Sequence, residues 1–331
     1  MRYIIVGAGA VGATIGGRLY ESGHEVVLVA RGVHLEALRE RGLTLRTPDG
    51  TSQLPVPVAG GPDELALGEG DVLVLAVKTQ DTQAALDAWA PVADRLPLIC
   101  AQNGVANERM ALRRFREVYG MCVWLPSTHL EPGEVVAPCG PLPGILHLGR
   151  YPHGTDDLAR AVSADLEKSS FGAPVVPDVM RWKYAKLLSN LGNAVEALCG
   201  GGWDDTAADL LDRARAEGGA VLDAAGIPYA SVEEQAAVRG DRVSLRAVDG
   251  FARGGGSSWQ SLTRGTGSVE ADWLNGEIVL LGRLHGVPAP VNETLRRLTN
   301  RAARDRRAPG SLTSAQVAAA VEGREPVGWG A

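Results

Sequence analysis

Four cysteines in 331 residues, Cys100, Cys122, Cys139 and Cys199, stand far apart with no CxxC pair among them. That spacing fits neither a disulfide framework nor a zinc site, and buried reduced thiols in a cytoplasmic protein are the expected reading. The six histidines (His24, His34, His129, His147, His153 and His285) likewise lack HxxxH or comparable ligand spacing, so no metal is expected. Long apolar runs are missing too. None approaches the ~18 residues of a membrane span, and Arg2 and Gly7 interrupt the apolar start. That first run reads as a strand and not as a signal peptide. Basic excess is also absent: a formal charge of -6 argues against the concentrated basic face that a nucleic-acid partner requires. Local runs such as Arg113-Arg114 or Arg301 to Arg307 read as solvated helix faces.

What remains is an ordinary soluble composition, with 45% hydrophobic and 22% charged residues and no compositional sign of disorder. At 331 residues the chain exceeds the usual size of one domain, so two domains around a cleft are expected. From the start, strand-length apolar runs alternate with helical patterns, the signature of βαβ units and a parallel sheet. Arg2 to Val6 and Glu25 to Val29 read as strands around a helix from Ala10 to Glu21. Asp71 to Val77 and Leu96 to Ala101 read as two more buried strands around a helix from Thr79 to Ala90. Val118 to Gly149, broken by Pro126, Pro132, Pro138, Pro141 and Pro143, reads as an antiparallel extension of the sheet. Past Pro174 and Pro177 helical patterns take over: Met180 to Leu198, Asp205 to Ala225, Val232 to Val238, Val269 to His285 and Val291 to Ala303. One Gly/Ser-rich joint runs from Arg253 to Ser258, and no internal repeat is found. The expected organisation is therefore α/β: a Rossmann-type parallel-sheet domain over 1–175, then an all-helical domain over 176–331.

Gly7-Ala8-Gly9-Ala10-Val11-Gly12 follows the first strand directly and opens a helix. Glycines suit this place because the turn is tight, a pyrophosphate must approach the backbone, and helix and strand must pack closely. The diphosphate would sit on the helix N-terminus, where unpaired N–H groups and the dipole favour negative charge. The second strand ends in Val29-Ala30-Arg31, without the acid that would bind the ribose 2'-hydroxyl of NAD. Arg31 suits a 2'-phosphate instead, so NADPH/NADP+ is the expected cofactor.

The chain resembles the ketopantoate reductase (2-dehydropantoate 2-reductase) family over nearly its whole length. The likeness is carried by the GAGAVG loop with Arg31, Val77-Lys78, Gln102-Asn103-Gly104, and Trp182 through Lys186 to Asn190. Further on it is carried by Ser257-Ser258, Glu270-Ala271-Asp272, Leu274-Asn275-Gly276 and Gly286-Val287-Pro288. The resemblance implies NADPH-dependent reduction of a small 2-oxo acid, with Lys186 as general acid. Hydride added to a ketone carbon leaves an alkoxide, so a cation in hydrogen-bond reach must stabilise and protonate it. Asn190, four residues after Lys186 on the expected helix, faces the same way. The family further implies Glu270 as the carboxylate that binds substrate hydroxyl and keeps Lys186 protonated, and Ser258 as the donor to the substrate carboxylate. It places Asn103 at nicotinamide and substrate, and Lys78 at the same strand-end mouth. A homodimer follows only by analogy.

Some positions depart from the family pattern. Its second helix asparagine falls at Ala194, while Asn193 lies seven residues after Lys186, nearly back on the same face, and could substitute. Trp259-Gln260-Ser261-Leu262 replaces a stretch that usually carries Met, Gln and Asp, and Gly255 stands near a usual asparagine. These departures bear on the substrate. Two other readings stay open: a β-hydroxyacid dehydrogenase or imine reductase, against which the KxxxN spacing of Lys186 and Asn190 argues, and a non-catalytic NADPH-binding sensor.

Overall fold

The computed structural model describes residues 1–252 and 254–329; Arg253, which opens the glycine-rich joint, lies outside the described residues, as do 330 and 331. Contacts divide the chain into two units, Met1–Lys183 with Tyr229–Ala252, and Tyr184–Pro228 with Arg253–Ala331.

The first unit begins β1 (Arg2–Val6), α1 (Ala10–Glu21), β2 (Glu25–Val29), α2 (Gly32–Arg41), β3 (Leu43–Thr47), β4 (Gly50–Leu54), β5 (Val58–Ala59) and β6 (Asp71–Leu75). It continues with α3 (Thr82–Trp89), β7 (Leu98–Cys100), α4 (Asn107–Ala111), β8 (Val118–Trp124), β9 (Glu134–Val136), β10 (Cys139–Pro141), β11 (Ile145–Arg150) and α5 (Asp157–Lys168). The main sheet runs β11-β8-β7-β6-β1-β2-β5, and every pairing in it is parallel except β11 with β8. Alternation explains the apolar runs: Tyr3, Ile5, Val26, Leu28, Val72 and Val74 enter one core with Ile15 and Leu19 of α1. Ile4, Val6, Val27, Val29, Leu73 and Leu75 enter another with Leu86 and Trp89 of α3. A sheet covered on both faces has no polar side, so its strands read as continuous hydrophobic segments.

Val118 to Gly149 is not a simple antiparallel extension. β8 pairs in parallel with β7, and only β11 is antiparallel. Between them β9 leaves to join β3 of the β3–β4 hairpin, and β10 pairs with a later strand. Pro126, Pro132 and Pro138 fall in the gaps between these strands, where a missing N–H would break a ladder.

Helix α6 (Val179–Asn190) is followed by α7 (Gly192–Cys199) and α8 (Asp205–Ala224), then by α9 (Val232–Arg239) and β12 (Val243–Leu245). Both α9 and β12 belong to the first unit, which the sequence reading with its single cut near 175 did not anticipate. Side-chain pairing supplies the reason: Arg181 holds Glu234 of α9, Lys183 is ion-paired to Glu108 of α4, and β12 pairs with β10.

The second unit is helical throughout its described residues, with α7, α8, α10 (Ser257–Thr263), α11 (Asn275–His285), α12 (Pro290–Arg304) and α13 (Ser314–Val321). Two expected helices are divided. Met180 to Leu198 breaks at Leu191, whose carbonyl accepts from the Asn275 amide at 3.2 Å, and a Cβ on Gly192 would stand 2.9 Å from Leu211. Val269 to His285 breaks at Leu274 (φ -111°, ψ -89°) into a 3-10 turn, Glu270–Trp273, and α11. No helix among the described residues is long and apolar enough to cross a membrane.

Candidate active site

At the end of β1 the amides of Gly7 and Ala8 both donate to the Val29 carbonyl at 3.1 Å, which turns the chain sharply over β2. Gly7 has φ +106°, and a Cβ there would meet the Val77 nitrogen at 2.7 Å, so only glycine fits. A Cβ on Gly12 would collide with the Gly7 carbonyl oxygen and stand 2.9 Å from Ile5, so no larger residue fits there. Gly9 differs: nothing lies within 4 Å of that position, so its bareness serves no packing and leaves the loop open to a close-approaching group. Gly9 is the N-cap of α1, which has no side-chain cap and no acid in its first turn. Ala10, Val11 and Gly12 thus begin a helix whose first amides have no side-chain acceptor, the arrangement that receives a phosphate.

Arg31, at the end of β2, is exposed, and among the described residues its guanidinium makes no ion pair or hydrogen bond. His34, which the sequence offered only as a histidine without ligand spacing, braces the loop. Its Nδ1 accepts from the Gly133 amide at 2.9 Å, so Nε2 carries the proton and donates to the Ala8 carbonyl at 2.7 Å.

Lys78 and Asn103 follow adjacent parallel strands, β6 and β7, and both are half-buried. Their loops share one polar network. Gln102 donates to the Val77 carbonyl and to the Thr82 hydroxyl, each at 2.8 Å, and Thr82 donates to Asn107 at 2.8 Å. Asn107 and Thr79 both donate to the Asn103 carbonyl, at 3.1 and 3.3 Å. A buried network of this kind, in which Gln102 Oε1 alone of these side-chain atoms lacks a partner among the described residues, fixes loops that side-chain packing alone would leave adjustable.

In the second unit Lys186 is half-buried on α6, with Asn190 one turn later and 5% exposed. Asn193 does not stand beside them as a bare amide: its Nδ2 donates to Ser257 Oγ at 3.2 Å, while Glu196, three residues on, accepts from the Gly256 amide at 2.7 Å. Together they hold the first turn of α10, where Ser258 is buried. Glu270 is buried in its 3-10 turn, just before α11. Asn275 at the start of α11 donates to Asn292 at 3.0 Å, and Asn292 donates to Glu217 at 2.9 Å. Glu217 also accepts the Val291 and Asn292 amides, capping α12 from α8.

The first turns of α6 carry further residues that spacing did not single out. Lys183 and Glu108 form an ion pair with side-chain exposures of 2% and 0%, so α6 is pinned to α4 three residues before Lys186. The one hint in the sequence is that Lys183, Leu187 and Leu191 form a single helical stripe, which would put a lysine on a buried face. Nothing marks Glu108.

Comparison with known proteins adds to this geometry. Residues 3–152 match the family described as ketopantoate reductase PanE/ApbA, and residues 178–303 match ketopantoate reductase PanE/ApbA C terminal. A 2-dehydropantoate 2-reductase of Halobacterium salinarum is 30% identical over 92% of this chain and 100% of its own. This chain belongs to the ketopantoate reductase family. It is accordingly an oxidoreductase acting on CH–OH donors. Among solved structures, a PanE/ApbA family ketopantoate reductase from Ralstonia eutropha JMP134 aligns with TM-score 0.76 and 28% identity, covering 92% of this chain and 99% of its own. D-mandelate dehydrogenase with NADH and anilino(oxo)acetate aligns with TM-score 0.79 at 21% identity, over 92% of this chain and 99% of its own, a likeness of fold.

The structure gives a packing reason for one departure from the ketopantoate reductase pattern. The Trp259 indole lies against Gly254 and Gly255, and a Cβ on Gly255 would come within 2.5 Å of Trp259 Cγ. An asparagine at 255 and a tryptophan at 259 are therefore mutually exclusive without movement of the indole.

Proposed function

We propose that this ketopantoate reductase family member reduces a small 2-oxo acid to the 2-hydroxy acid with NADPH, Lys186 acting as general acid. The observation carrying the cofactor choice is the uncommitted Arg31 guanidinium beside an uncapped helix start, with no carboxylate at the end of β2. An NAD site would need an acceptor there for the 2'-hydroxyl; Arg31 offers only donors, which a 2'-phosphate satisfies.

When bound, the cofactor supplies hydride to C2 of the oxo acid. Gly9, Ala10, Val11 and Gly12 would hold its diphosphate by backbone amides at the helix start, with Gly7 and Ala8 shaping the turn through their bonds to Val29; Arg31 would hold its 2'-phosphate, and Lys78 and Asn103 its nicotinamide half. Lys186 Nζ donates to the substrate carbonyl oxygen and transfers a proton to it as negative charge develops. Glu270 accepts from substrate hydroxyl and holds Lys186 in its charged form. Ser258 Oγ donates to the substrate carboxylate, with Asn190 at the end of α6 and Asn193 in the first turn of α7 beside it, Asn193 acting through Ser257.

The test is oxidation of NADPH and of NADH by the purified chain against ketopantoate, other 2-oxo acids and matched cyclic imines. Turnover of a 2-oxo acid with preference for NADPH is expected. Turnover of imines alone, or indifference to the 2'-phosphate, would sink the reading.

A further inference from the structure

Ala8 and Gly9, in the loop between β1 and α1, share a trans peptide, in which C=O and N–H point in opposite directions. His34 Nε2 donates to the Ala8 oxygen at 2.7 Å, so it fixes the plane of that peptide and turns the Gly9 N–H to the far side. Among the described residues this N–H meets no acceptor, and nothing lies within 4 Å of a Cβ built on Gly9. An N–H whose own carbonyl accepts a hydrogen bond is also the stronger donor, because bonds linked in a chain polarise one another. Gly9 is therefore aimed from behind, at the N-cap of a helix that has no side-chain cap.

The imidazole is held in turn. Its Nδ1 accepts from the Gly133 amide at 2.9 Å, which leaves Nε2 to carry the proton. Gly133 stands at φ +83°, and its carbonyl accepts from the Thr44 amide of β3 at 2.8 Å, so that donor is anchored to the β3–β9 pairing. His129 packs against His34 with ring centroids 4.3 Å apart, and its own Nδ1 lies 3.0 Å from the Glu134 carbonyl at the start of β9. His34 is half-buried in the first turn of α2, three residues after Arg31, the N-cap of that helix. One side chain thus ties the helix that begins at Arg31 to the loop that begins at Gly7.

Resting on the dinucleotide reading of this loop, we propose that His34 is a positioning residue for the cofactor diphosphate, acting through the Ala8–Gly9 peptide. Its neutral Nε2–H form orients an amide that a diphosphate oxygen receives. It does so for NADPH and NADH alike, because both carry the diphosphate and differ only at the 2'-phosphate.

Calorimetric titration of the full-length chain with NADPH, NADH and adenosine 2'-monophosphate, which lacks the diphosphate, tests this. An asparagine amide reaches only as far as Nδ1, and a glutamine amide as far as Nε2. His34→Asn should therefore keep the Gly133 contact, lose Ala8, and weaken both dinucleotides by the same factor, about tenfold or more, the scale of a lost hydrogen bond to a charged group. His34→Gln should restore most of that affinity, which a merely space-filling role would not require. Adenosine 2'-monophosphate should bind both variants as it binds the wild-type chain, and only Arg31→Ala should weaken it. Should His34→Asn not fold, the wild-type chain decides: inorganic pyrophosphate should shift the Gly9 amide proton saturably. Unchanged dinucleotide affinity in His34→Asn, no recovery in His34→Gln, a loss shared by adenosine 2'-monophosphate, or a Gly9 amide unmoved by pyrophosphate would each overturn the proposal. A wild-type chain indifferent to the 2'-phosphate would sink the NADPH reading alone, since NADH still reports on the diphosphate.

Discussion

Protonating His147 should cost the protein stability on the acid side of neutrality. Its ordinary value of 6.5 falls to about 4 in the folded chain because burial between β11 and Trp182 strips water from the charged form. Above pH 6.5 neither state is protonated and the stability is fully present. Below it the unfolded chain takes the proton first, so stability declines as pH falls, at ~1.4 kcal/mol per pH unit, until the folded ring titrates near 4. The gap of about 2.5 units converts to about 3 kcal/mol at full extent. At 2% exposure there is little solvent to screen this. His147→Phe keeps the ring stacked on Trp182 but removes the titration. Urea unfolding of both proteins at about pH 7.5 and 5 should show the wild-type chain losing about 2 kcal/mol more than the variant. The difference isolates His147 from the other histidines and from the carboxylates, which titrate in both. Parallel pH dependence in the two proteins would refute the argument and mean that the imidazole is hydrated or protonated in the fold.

Arg31→Ala should weaken NADPH by about ten- to a hundredfold while leaving NADH nearly unchanged, since the two differ by one phosphate; equal loss in a binding titration would reject the assignment. Lys186→Ala should lower kcat about 10²-fold or more with little effect on NADPH affinity, and its loss should not add to that of Glu270→Ala; near-normal turnover when chemistry is rate-limiting would make the lysine structural. Lys183→Met leaves Glu108 buried and uncompensated and should cost about 3–5 kcal/mol, whereas Lys183→Met with Glu108→Leu should regain most of it; thermal unfolding of the three proteins decides. Gly255→Asn should depress the melting temperature through its collision with Trp259, and adding Trp259→Met should restore it.

Where structure is local, the sequence was sufficient. Arg2–Val6, Ala10–Glu21 and Glu25–Val29 fall where their apolar runs and the Gly7 to Gly12 loop put them, because a strand buried on both faces and a glycine turn declare themselves within a few residues. The breaks in the later helices were not legible, since Leu191 and Leu274 carry no breaker chemistry. Leu191 is interrupted by a partner 84 positions away, Asn275. Val232–Arg239 has an ordinary helical pattern with a capping box at Ser231, and nothing in it says which unit it will join; the Arg181–Glu234 pair does. The proposed site follows the same division. Lys186, Asn190, Ser258 and Glu270 were proposed from motifs, while His34, Glu108, Glu196 and Glu217 act through contacts between distant segments and had no local signal.

The chain holds only four lysines among its 33 basic residues, Lys78, Lys168, Lys183 and Lys186. Sealed against Glu108, Lys183 presents no reactive amine to solvent, and Lys168 sits exposed at the end of α5. An acylating reagent applied to the native protein therefore meets, besides the N-terminus, one ready amine and two half-covered ones, Lys78 and Lys186. With so few labels to sort by mass, the order in which they appear reads out directly which amine each bound molecule covers.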